Sequence, residues 1–276
     1  MALALAPNDA GLNDLSDLVD LDRYPLHESG GARLQELVED CRAQLATRGV
    51  ATLPGLVQPD AVRRMAAETE AVIDRTYFCD SQHNAYLKAP DLDLPRTHPR
   101  NRDLATQVGS VAWDLIDPQA TLRRLYLWDP LVAFVGAVLD RSPFFRFADP
   151  LGACSVNVFR PGMGHNWHFD EAKISTTLML QKAEKGGDFE YVPFLRPERG
   201  EDFEAVGRIL DGDETDVVRL PFEPGTLSIF HGSRSLHRVT RCGGKRDRLV
   251  AVLCFASEAG AVNSEAVRKL FWGRTR

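Results

Sequence analysis

Apolar side chains recur at helical spacing through the first half of the chain. In the first such segment they lie three or four residues apart, at Leu34, Leu37, Val38, Cys41 and Leu45. This period predicts a helix over residues 32–48, and a similar pattern predicts a second helix over residues 61–73 with Asp60 as its N-cap. A third helix is predicted over residues 121–139, interrupted near Pro130 because proline cannot continue the backbone hydrogen bonding.

The pattern changes after Pro143 to short runs rich in β-branched and aromatic residues, separated by turns that contain glycine and proline. These runs predict strands at residues 144–147, 153–159, 174–180, 189–192, 217–220, 226–230 and 249–255. An earlier short strand is predicted at residues 50–53, and one helix, residues 201–210, interrupts the series. Many short strands at such intervals are typical of an antiparallel sandwich or jelly roll and not of an alternating α/β fold.

Three segments follow from this division of the chain. Residues 1–143 are predicted to form a helical support, residues 144–257 a jelly-roll core, and residues 258–276 a tail packed on that core. Residues 78–103 are rich in proline, asparagine, aspartate and histidine without a sustained period, so we expect a long loop that acts as a lid. The predicted fold class is mainly β with a helical N-terminal half.

The 276 residues include 33 basic and 39 acidic side chains, a net charge of −6. An acidic balance argues against a nucleic-acid or anionic-membrane partner, since both are usually bound through a basic surface. The five cysteines are scattered and include no CxxC pair, which argues against a disulfide framework and a zinc knuckle. Residues 1–6 are apolar but too few for a secretion signal. We expect a cytoplasmic protein with a small-molecule partner, and no pattern indicates an oligomeric state.

Two histidines and an aspartate form the most informative pattern of the chain. His168 and Asp170 are two residues apart, so on an extended strand both side chains point to the same face. His237 follows 69 residues after His168, with enough predicted strands between them for the chain to fold back. Two imidazoles and one carboxylate on one face of a metal form the triad of non-haem Fe(II) oxygenases, which leaves open coordination positions.

Arg248 strengthens this interpretation. It lies 11 residues after His237 and opens the apolar run of residues 249–255. A guanidinium group at the start of a buried strand is suited to a bidentate carboxylate partner, although an arginine at a strand edge facing water remains the alternative. Arg246 competes for the same role, because it has the same strand parity and lies nine residues after His237.

Together these residues resemble the iron(II)- and 2-oxoglutarate-dependent oxygenase superfamily, whose fold is a double-stranded β-helix (jelly roll). The resemblance covers about residues 144–256. More narrowly, residues 166–170, 187–193 and 235–240 are similar to bacterial proteins related to the free-lysine halogenases and amino-acid hydroxylases.

The resemblance implies a set of cofactors and the residues that hold them. His168, Asp170 and His237 are expected to bind Fe(II), with 2-oxoglutarate as cosubstrate and O₂ as oxidant. Arg248, or its competitor Arg246, is expected to bind the distal carboxylate of 2-oxoglutarate.

Three further residues are candidates for the cosubstrate site. A hydroxyl from Thr240 or Thr226 is expected to assist the arginine, and Asn157 is expected to point into the barrel. An outward, solvated position for Asn157 remains the alternative.

The resemblance also implies residues that contact the substrate. In the amino-acid halogenases the counterparts of His165 and Glu171 contact the substrate carboxylate and amine, and here the two side chains would bracket a zwitterion. The resemblance implies that the related halogenases have glycine at the position of Asp170. The carboxylate present here therefore favours hydroxylation over halogenation and leaves desaturation and cyclisation open. Val252 and Cys254 replace polar residues expected in the lysine enzymes, which puts lysine in doubt as the substrate.

The predicted lid and tail supply the remaining candidates. His83 and Arg96 in the lid, with Arg100 as an alternative to Arg96, are expected to contact the substrate, although a solvated face explains them equally well. The tail of residues 258–276 is expected to pack near the active site, where Trp272 either covers the pocket or only docks the tail.

The leading hypothesis is a 2-oxoglutarate-dependent hydroxylase that acts on a free amino acid or a similar small polar metabolite. A zinc hydrolase that uses the same triad is an alternative, but no HExxH helix supports it. A non-catalytic jelly-roll module that binds a metabolite is the other alternative. The triad with Arg248 argues against it, because a binding module needs no open iron positions.

Overall fold

The structure, a computed structural model, describes residues 15–276. Residues 1–14, which begin the predicted helical support and include the apolar residues 1–6, lie outside the described residues. Six α-helices are present in the described part of the chain: α1 (Ala32–Arg48), α2 (Pro59–Glu70), α3 (Thr121–Leu127), α4 (Asp129–Val138), α5 (Phe203–Leu210) and α6 (Glu265–Trp272). No helix among residues 15–276 is long and apolar enough to cross a membrane.

The strands are short and pair in antiparallel fashion. They are β1 (Val50–Leu53), β2 (Tyr77–His83), β3 (Leu104–Val111), β4 (Phe145–Arg146), β5 (Cys154–Phe159), β6 (Gly164–His168), β7 (Ser175–Gln181), β8 (Lys185–Gly186), β9 (Phe189–Val192), β10 (Val218–Arg219), β11 (Leu227–Phe230), β12 (Leu236–Val239), β13 (Cys242–Gly243), β14 (Arg248–Leu253) and β15 (Phe255–Ala256). Eleven of them form one curled sheet in the order β1-β11-β7-β14-β5-β3-β6-β12-β9-β10, with β2 paired to β3. This sheet confirms the predicted jelly-roll core.

The predicted helices occur with small corrections. α1 has the predicted bounds and ends at Gly49, whose φ of 71° lies in the left-handed region that glycine adopts easily. The prediction of Asp60 as an N-cap is wrong: Gln58 is the N-cap, and Asp60 lies in the first turn after Pro59. Proline presets the backbone angle of the first helical position, and an acidic side chain favours the first turn. The break predicted near Pro130 lies between α3 and α4.

The N-terminal half is less helical than predicted, because β2 and β3, as well as the predicted strand β1, belong to the main sheet. β1 pairs with β11, and β3 lies between β5 and β6 with β2 at its outer edge. The start of the predicted lid, up to His83, is therefore strand β2, and the loop proper begins after it. β2 and β3 contain many polar residues, so their formation depends on pairing with strands that are distant in sequence.

The two faces of the sheet have different neighbours. Side chains at alternate positions pack against α1–α4 in the main hydrophobic core, among them Val156, Val158, Leu249, Ala251 and Leu253. Because successive strand residues alternate in direction, the intervening positions point to the barrel interior. Asn157 and Arg248 occupy such positions on β5 and β14. The core thus leaves one face of the sheet free to build a site.

A buried carboxylate fastens the C-terminal segment to the sheet. Asp149 accepts backbone hydrogen bonds from Leu151, Gly152 and Asn263, at 2.7–2.8 Å, and one from Arg268 Nε at 2.9 Å. Its side chain is 0% exposed, and that of Arg268 is 14% exposed. Although burial raises the pKa of Asp149, the backbone donors and Arg268 outweigh it and lower that pKa below the usual value. This cluster fixes the start of α6.

We expect Asp149→Asn to lower the free energy of unfolding by about 2–4 kcal/mol at neutral pH, because a buried charged partner of Arg268 is lost. A carboxylate with a lowered folded-state pKa stabilises the fold above its unfolded pKa of about 4. The difference from wild type should therefore shrink as the pH falls through that region. Urea unfolding across the acidic range measures this. Asp114→Asn is the control, since the Asp114–Arg274 pair is partly exposed and should cost under about 1 kcal/mol.

Equal losses in the two variants, or a difference that does not change with pH, would contradict this account of Asp149.

Candidate metal centre

Strand pairing brings the three predicted metal ligands together. In the antiparallel register of β6 and β12, His237 lies opposite His168. Asp170 follows the end of β6, where its backbone N–H donates to Gly232 O at 3.0 Å. One nitrogen of each imidazole and one carboxylate oxygen all lie within 4.8 Å of one another. The cluster matches the donor set predicted from the sequence.

The orientation of each imidazole is set by a backbone carbonyl. His168 Nδ1 lies 2.8 Å from Asn166 O, and His237 Nδ1 lies 2.9 Å from Ser235 O. A carbonyl only accepts, so Nδ1 of each ring carries the proton and Nε2 presents a lone pair. The two Nε2 atoms lie 3.5 and 3.4 Å from Asp170 Oδ1. Such second partners orient histidine ligands in metal sites.

The Asp170 carboxylate is held from its other side. Ser175 Oγ donates to Asp170 Oδ2, and Gly232 packs so closely that a Cβ at this position would overlap the carboxylate. Burial raises the pKa of Asp170, but His237 and His168 outweigh it and hold that pKa well below its usual range. Burial, followed by His237, lowers the pKa of His168 to about 4. A carboxylate and neutral imidazoles are the forms that bind metal.

Two more histidines line the approach to the triad. The ring of His165 stacks on that of His168, with centroids 3.6 Å apart and planes 10° apart. His83 lies edge-on to His165 at 5.6 Å, and its Nδ1 is 3.0 Å from Asn84 O. Burial and His168 lower the pKa of His165 well below its usual value. The sequence predicted both residues near the substrate, and the structure places both beside the metal ligands.

A cavity of about 1630 Å³ opens onto the triad. His83, His165 and Glu171 line it together with the two ligands His168 and Asp170. Only part of the predicted lid lines this cavity. Arg96 is exposed and is not among the lining residues.

Trp272 also lies outside the cavity lining, packed against Ala112 and Leu151. The substrate role expected for this residue is therefore not supported, whereas docking of the tail is. Trp272 lies on the face of α6 that meets the body of the protein, and the neighbouring side chains Leu270 and Phe271 line the cavity instead.

Arg248 is a buried cation without a partner for one of its nitrogens. Its side chain is 2% exposed, its guanidinium carbon lies 5.3 Å from the Phe159 ring, and Nε has no hydrogen-bond partner among the described residues. Burial lowers the pKa of Arg248 to about 10, which still leaves the group charged at neutral pH. An unpaired buried cation is costly unless an anion joins it. This site therefore fits the distal carboxylate of 2-oxoglutarate.

The competing cosubstrate residues have other contacts. Arg246 is exposed and donates from Nε to Lys182 O at 2.9 Å, because β14 begins only at Arg248 and strand parity does not extend back through the turn. Thr240 Oγ1 accepts from Asp188 N at 2.9 Å and so fixes the backbone of a turn. Thr226 is buried, and its Oγ1 lacks a partner among the described residues.

Three residues of the site were not predicted. Ser175 and Gly232 hold the Asp170 carboxylate, and neither belongs to a recognisable motif. The guanidinium carbon of Arg196 lies 4.0 Å from the ring centroid of Phe169, the residue between His168 and Asp170, and Arg196 donates to Ser233 O at 2.9 Å. It thereby ties the segment of Asp170 to the loop that contains Gly232. The contacts of Gly232 with Asp170 and of Arg196 with Ser233 join residues far apart in sequence, which a linear pattern does not show, whereas Ser175 lies five residues after Asp170.

We expect Gly232→Ala to lower divalent-metal affinity about 10–100-fold, because the added methyl group displaces the Asp170 carboxylate. Titration with Co(II), followed by its visible absorption, measures the change. Gly207→Ala is the matched control, since a Cβ there meets only Pro99 at an ordinary 3.7 Å. Unchanged Co(II) affinity in Gly232→Ala would show that the carboxylate is not a ligand.

Three solved structures illustrate the similar folds. The non-heme alpha ketoglutarate dependent epimerase SnoN from nogalamycin biosynthesis has a TM-score of 0.55 at 16% identity, over 80% of this chain and 83% of that chain. AviO1 from Streptomyces viridochromogenes Tue57 has a TM-score of 0.53 at 19% identity, over 80% of this chain and 95% of that chain. HygX from Streptomyces hygroscopicus, with nickel, 2-oxoglutarate and hygromycin B bound, has a TM-score of 0.52 at 13% identity, over 78% of this chain and 86% of that chain. At such identities these likenesses show the fold.

No curated protein matches the sequence. The family model described as Halogenase D (HalD) matches residues 34–270, which is most of the chain. The fold, the His-Asp-His triad and the buried arginine agree with the predicted superfamily and with its Fe(II), 2-oxoglutarate and O₂ requirement. The chain belongs to the Halogenase D (HalD) family, within the Fe(II)/2-oxoglutarate-dependent oxygenases.

Proposed function

We propose that this protein is a 2-oxoglutarate-dependent hydroxylase that acts on a C–H bond of a small metabolite with a polar end, a free amino acid being the leading candidate. The observation that carries the proposal is the intact triad of His168, Asp170 and His237, which faces a large cavity. The site contains a carboxylate ligand, Asp170, although the family is named for halogenases.

The residues of the chain divide the binding work. His168, Asp170 and His237 would hold Fe(II) and leave the remaining coordination positions open. Arg248 would bind the distal carboxylate of 2-oxoglutarate from within the barrel. When bound, iron with 2-oxoglutarate and O₂ supplies the oxidising chemistry that breaks an unactivated C–H bond. The protein orients these groups and the substrate.

Asp170 favours hydroxylation over halogenation. A halide ion would need the coordination position that this carboxylate fills. Asp170 Oδ1 lies between the two imidazoles, and Oδ2 is held by Ser175 and packed against Gly232. Moving the carboxylate aside would break these contacts, so we propose that a hydroxyl group is transferred.

The charge of the cavity favours a substrate with a carboxylate. Six lysine and arginine side chains line it among the described residues: Arg42, Lys88, Arg141, Lys173, Arg196 and Arg234. Three acidic side chains, Asp170, Glu171 and Glu198, oppose them. Arg42, Arg196 and Arg234 are paired with Asp140, Glu201 and Glu198. The attraction for an anion therefore comes from Lys88, Arg141 and Lys173. His165 and Glu171 would then bracket a zwitterionic end.

All five cysteines are free, which supports a cytoplasmic location.

Anaerobic loading with Fe(II) and 2-oxoglutarate tests the proposal directly. We expect a weak metal-to-ligand charge-transfer absorption, followed on admission of O₂ by succinate release that free amino acids stimulate. The expected product is heavier by one oxygen atom, also in the presence of chloride. Asp170→Ala should abolish both the absorption and the product.

Each contrary result points to a different function. Absence of the charge-transfer absorption would exclude the oxygenase, and hydrolysis in the zinc-loaded protein would then support the zinc hydrolase. Amino-acid binding without succinate release would indicate a binding module. A chlorinated product would contradict the role that we give Asp170.

We expect Arg248→Lys to raise the KM for 2-oxoglutarate about 10–100-fold, because lysine cannot form a bidentate pair with a carboxylate. Steady-state succinate formation at varied 2-oxoglutarate measures the effect. Arg246→Lys is the matched control, since Arg246 is exposed two residues away and contacts only a backbone carbonyl among the described residues. If Arg246→Lys raises the KM and Arg248→Lys does not, the two assignments must be exchanged.

A further inference from the structure

The cavity continues beyond the metal ligands along a surface made of large apolar side chains. We call this surface the apolar wall, and it consists of Phe144, Phe147, Phe255, Val262, Leu270 and Phe271. Ile174 beside Ser175, and Val252 and Cys254 before Phe255, line the same cavity. The apolar surface and the metal ligands therefore border one continuous space.

Two separate elements build the apolar wall. β4 pairs with β15, and the rings of Phe144 and Phe255 lie 5.9 Å apart at this small sheet. The other part of the wall comes from α6 and the residues just before it, which the Asp149–Arg268 contact fastens to the body of the protein. The wall is thus a preformed surface on fixed elements.

The apolar wall leaves large side chains exposed beside the site. Val262 is 50% exposed and Leu270 is 43% exposed, although aliphatic side chains gain free energy when they are removed from water. The cavity of about 1630 Å³ also exceeds the roughly 300–1,000 Å³ typical of a pocket for one drug-sized ligand. A small zwitterion at His165 would leave this surface uncovered.

The charges near the apolar wall argue against a cationic occupant. Arg42 and Arg141 line this cavity, and none of the six wall residues is acidic. A terminal ammonium group placed on the wall would lose water without gaining an anionic partner from any of the six wall residues. An apolar group loses nothing of this kind and covers the exposed aliphatic side chains.

We propose that the apolar wall is a second subsite that binds an extended apolar group of the substrate, an aliphatic chain or an aryl substituent, while the polar end of the same molecule lies at His165. The inference rests on the proposed function for the position of the polar end. It adds that the substrate is amphipathic and longer than a small polar amino acid.

A homologous series of straight-chain 2-amino acids, from about four to about ten carbons, tests the subsite. Binding is measured anaerobically by calorimetry on the protein loaded with Fe(II) and 2-oxoglutarate, so no turnover is needed. We expect affinity to rise about threefold to fourfold with each added methylene until the wall is covered. Lysine should bind more weakly than the straight-chain amino acid of equal length. Affinity that is independent of chain length, or no binding by any member, overturns the proposal.

A pair of variants with like exposure separates the subsite from a general surface effect. Leu270→Glu places a charge on the wall, whereas Val218→Glu places one on β10, outside the cavity lining, where Val218 is 41% exposed. We expect Leu270→Glu to abolish the gain per methylene and to strengthen lysine binding, with Val218→Glu like wild type. Equal behaviour of the two variants contradicts the subsite.

Thermal melting of both variants checks that they fold. The charge-transfer absorption reports the proposed function separately. Its loss would therefore overturn the oxygenase, whereas a flat chain-length series with an intact absorption would overturn the subsite alone.

Discussion

The burial of the Asp170 carboxylate between His168 and His237 is the constraint on which the rest of the site depends. An anion removed from water is costly unless hydrogen bonds or a cation compensate it. Here Ser175 donates to one oxygen, and the two imidazoles approach the other. Backbone carbonyls fix the protons of both rings on Nδ1, so the free nitrogens converge on the same point. A divalent cation at that point completes the balance of charge.

The alternating faces of the sheet explain how such a costly site is supported. Outward positions of β5, β7 and β14 pack on the helices and form the main hydrophobic core. Inward positions are consequently free to hold polar groups, and within residues 15–276 neither Arg248 Nε, at the start of β14, nor Thr226 Oγ1, just before β11, has a hydrogen-bond partner. Buried polar atoms without partners are rare in folded proteins and mark places where a ligand or water is needed. The core therefore stabilises a fold whose interior is left incomplete for its cosubstrate.

Much of this arrangement could be predicted from the sequence, wherever one local pattern determined the outcome. The period of α1, the break at Pro130 and the proximity of the His168 and Asp170 side chains at the end of β6 are of this kind. Other features depend on contacts between distant segments. β2 and β3 are polar strands that form by pairing with each other. Arg246 and Arg248 have equal parity, and only the position of the turn separates them. Likewise, no local pattern shows that α6 turns Trp272 inward and Leu270 toward the cavity.

The Asp170 side chain depends on two neighbouring residues for its space and its hydrogen bonding. Gly232 provides the space for its carboxylate, and Ser175 donates to the oxygen that does not face the imidazoles. Removing the carboxylate alone would leave a hydroxyl donor and a small backbone surface around a vacated ligand position, a place where an anion could be bound. The identity of the ligand at this position and the two residues around it form one unit. Under the proposed function, the choice between hydroxyl and halide transfer would depend on how an anion is held beside the metal, while the sheet and its core stay the same.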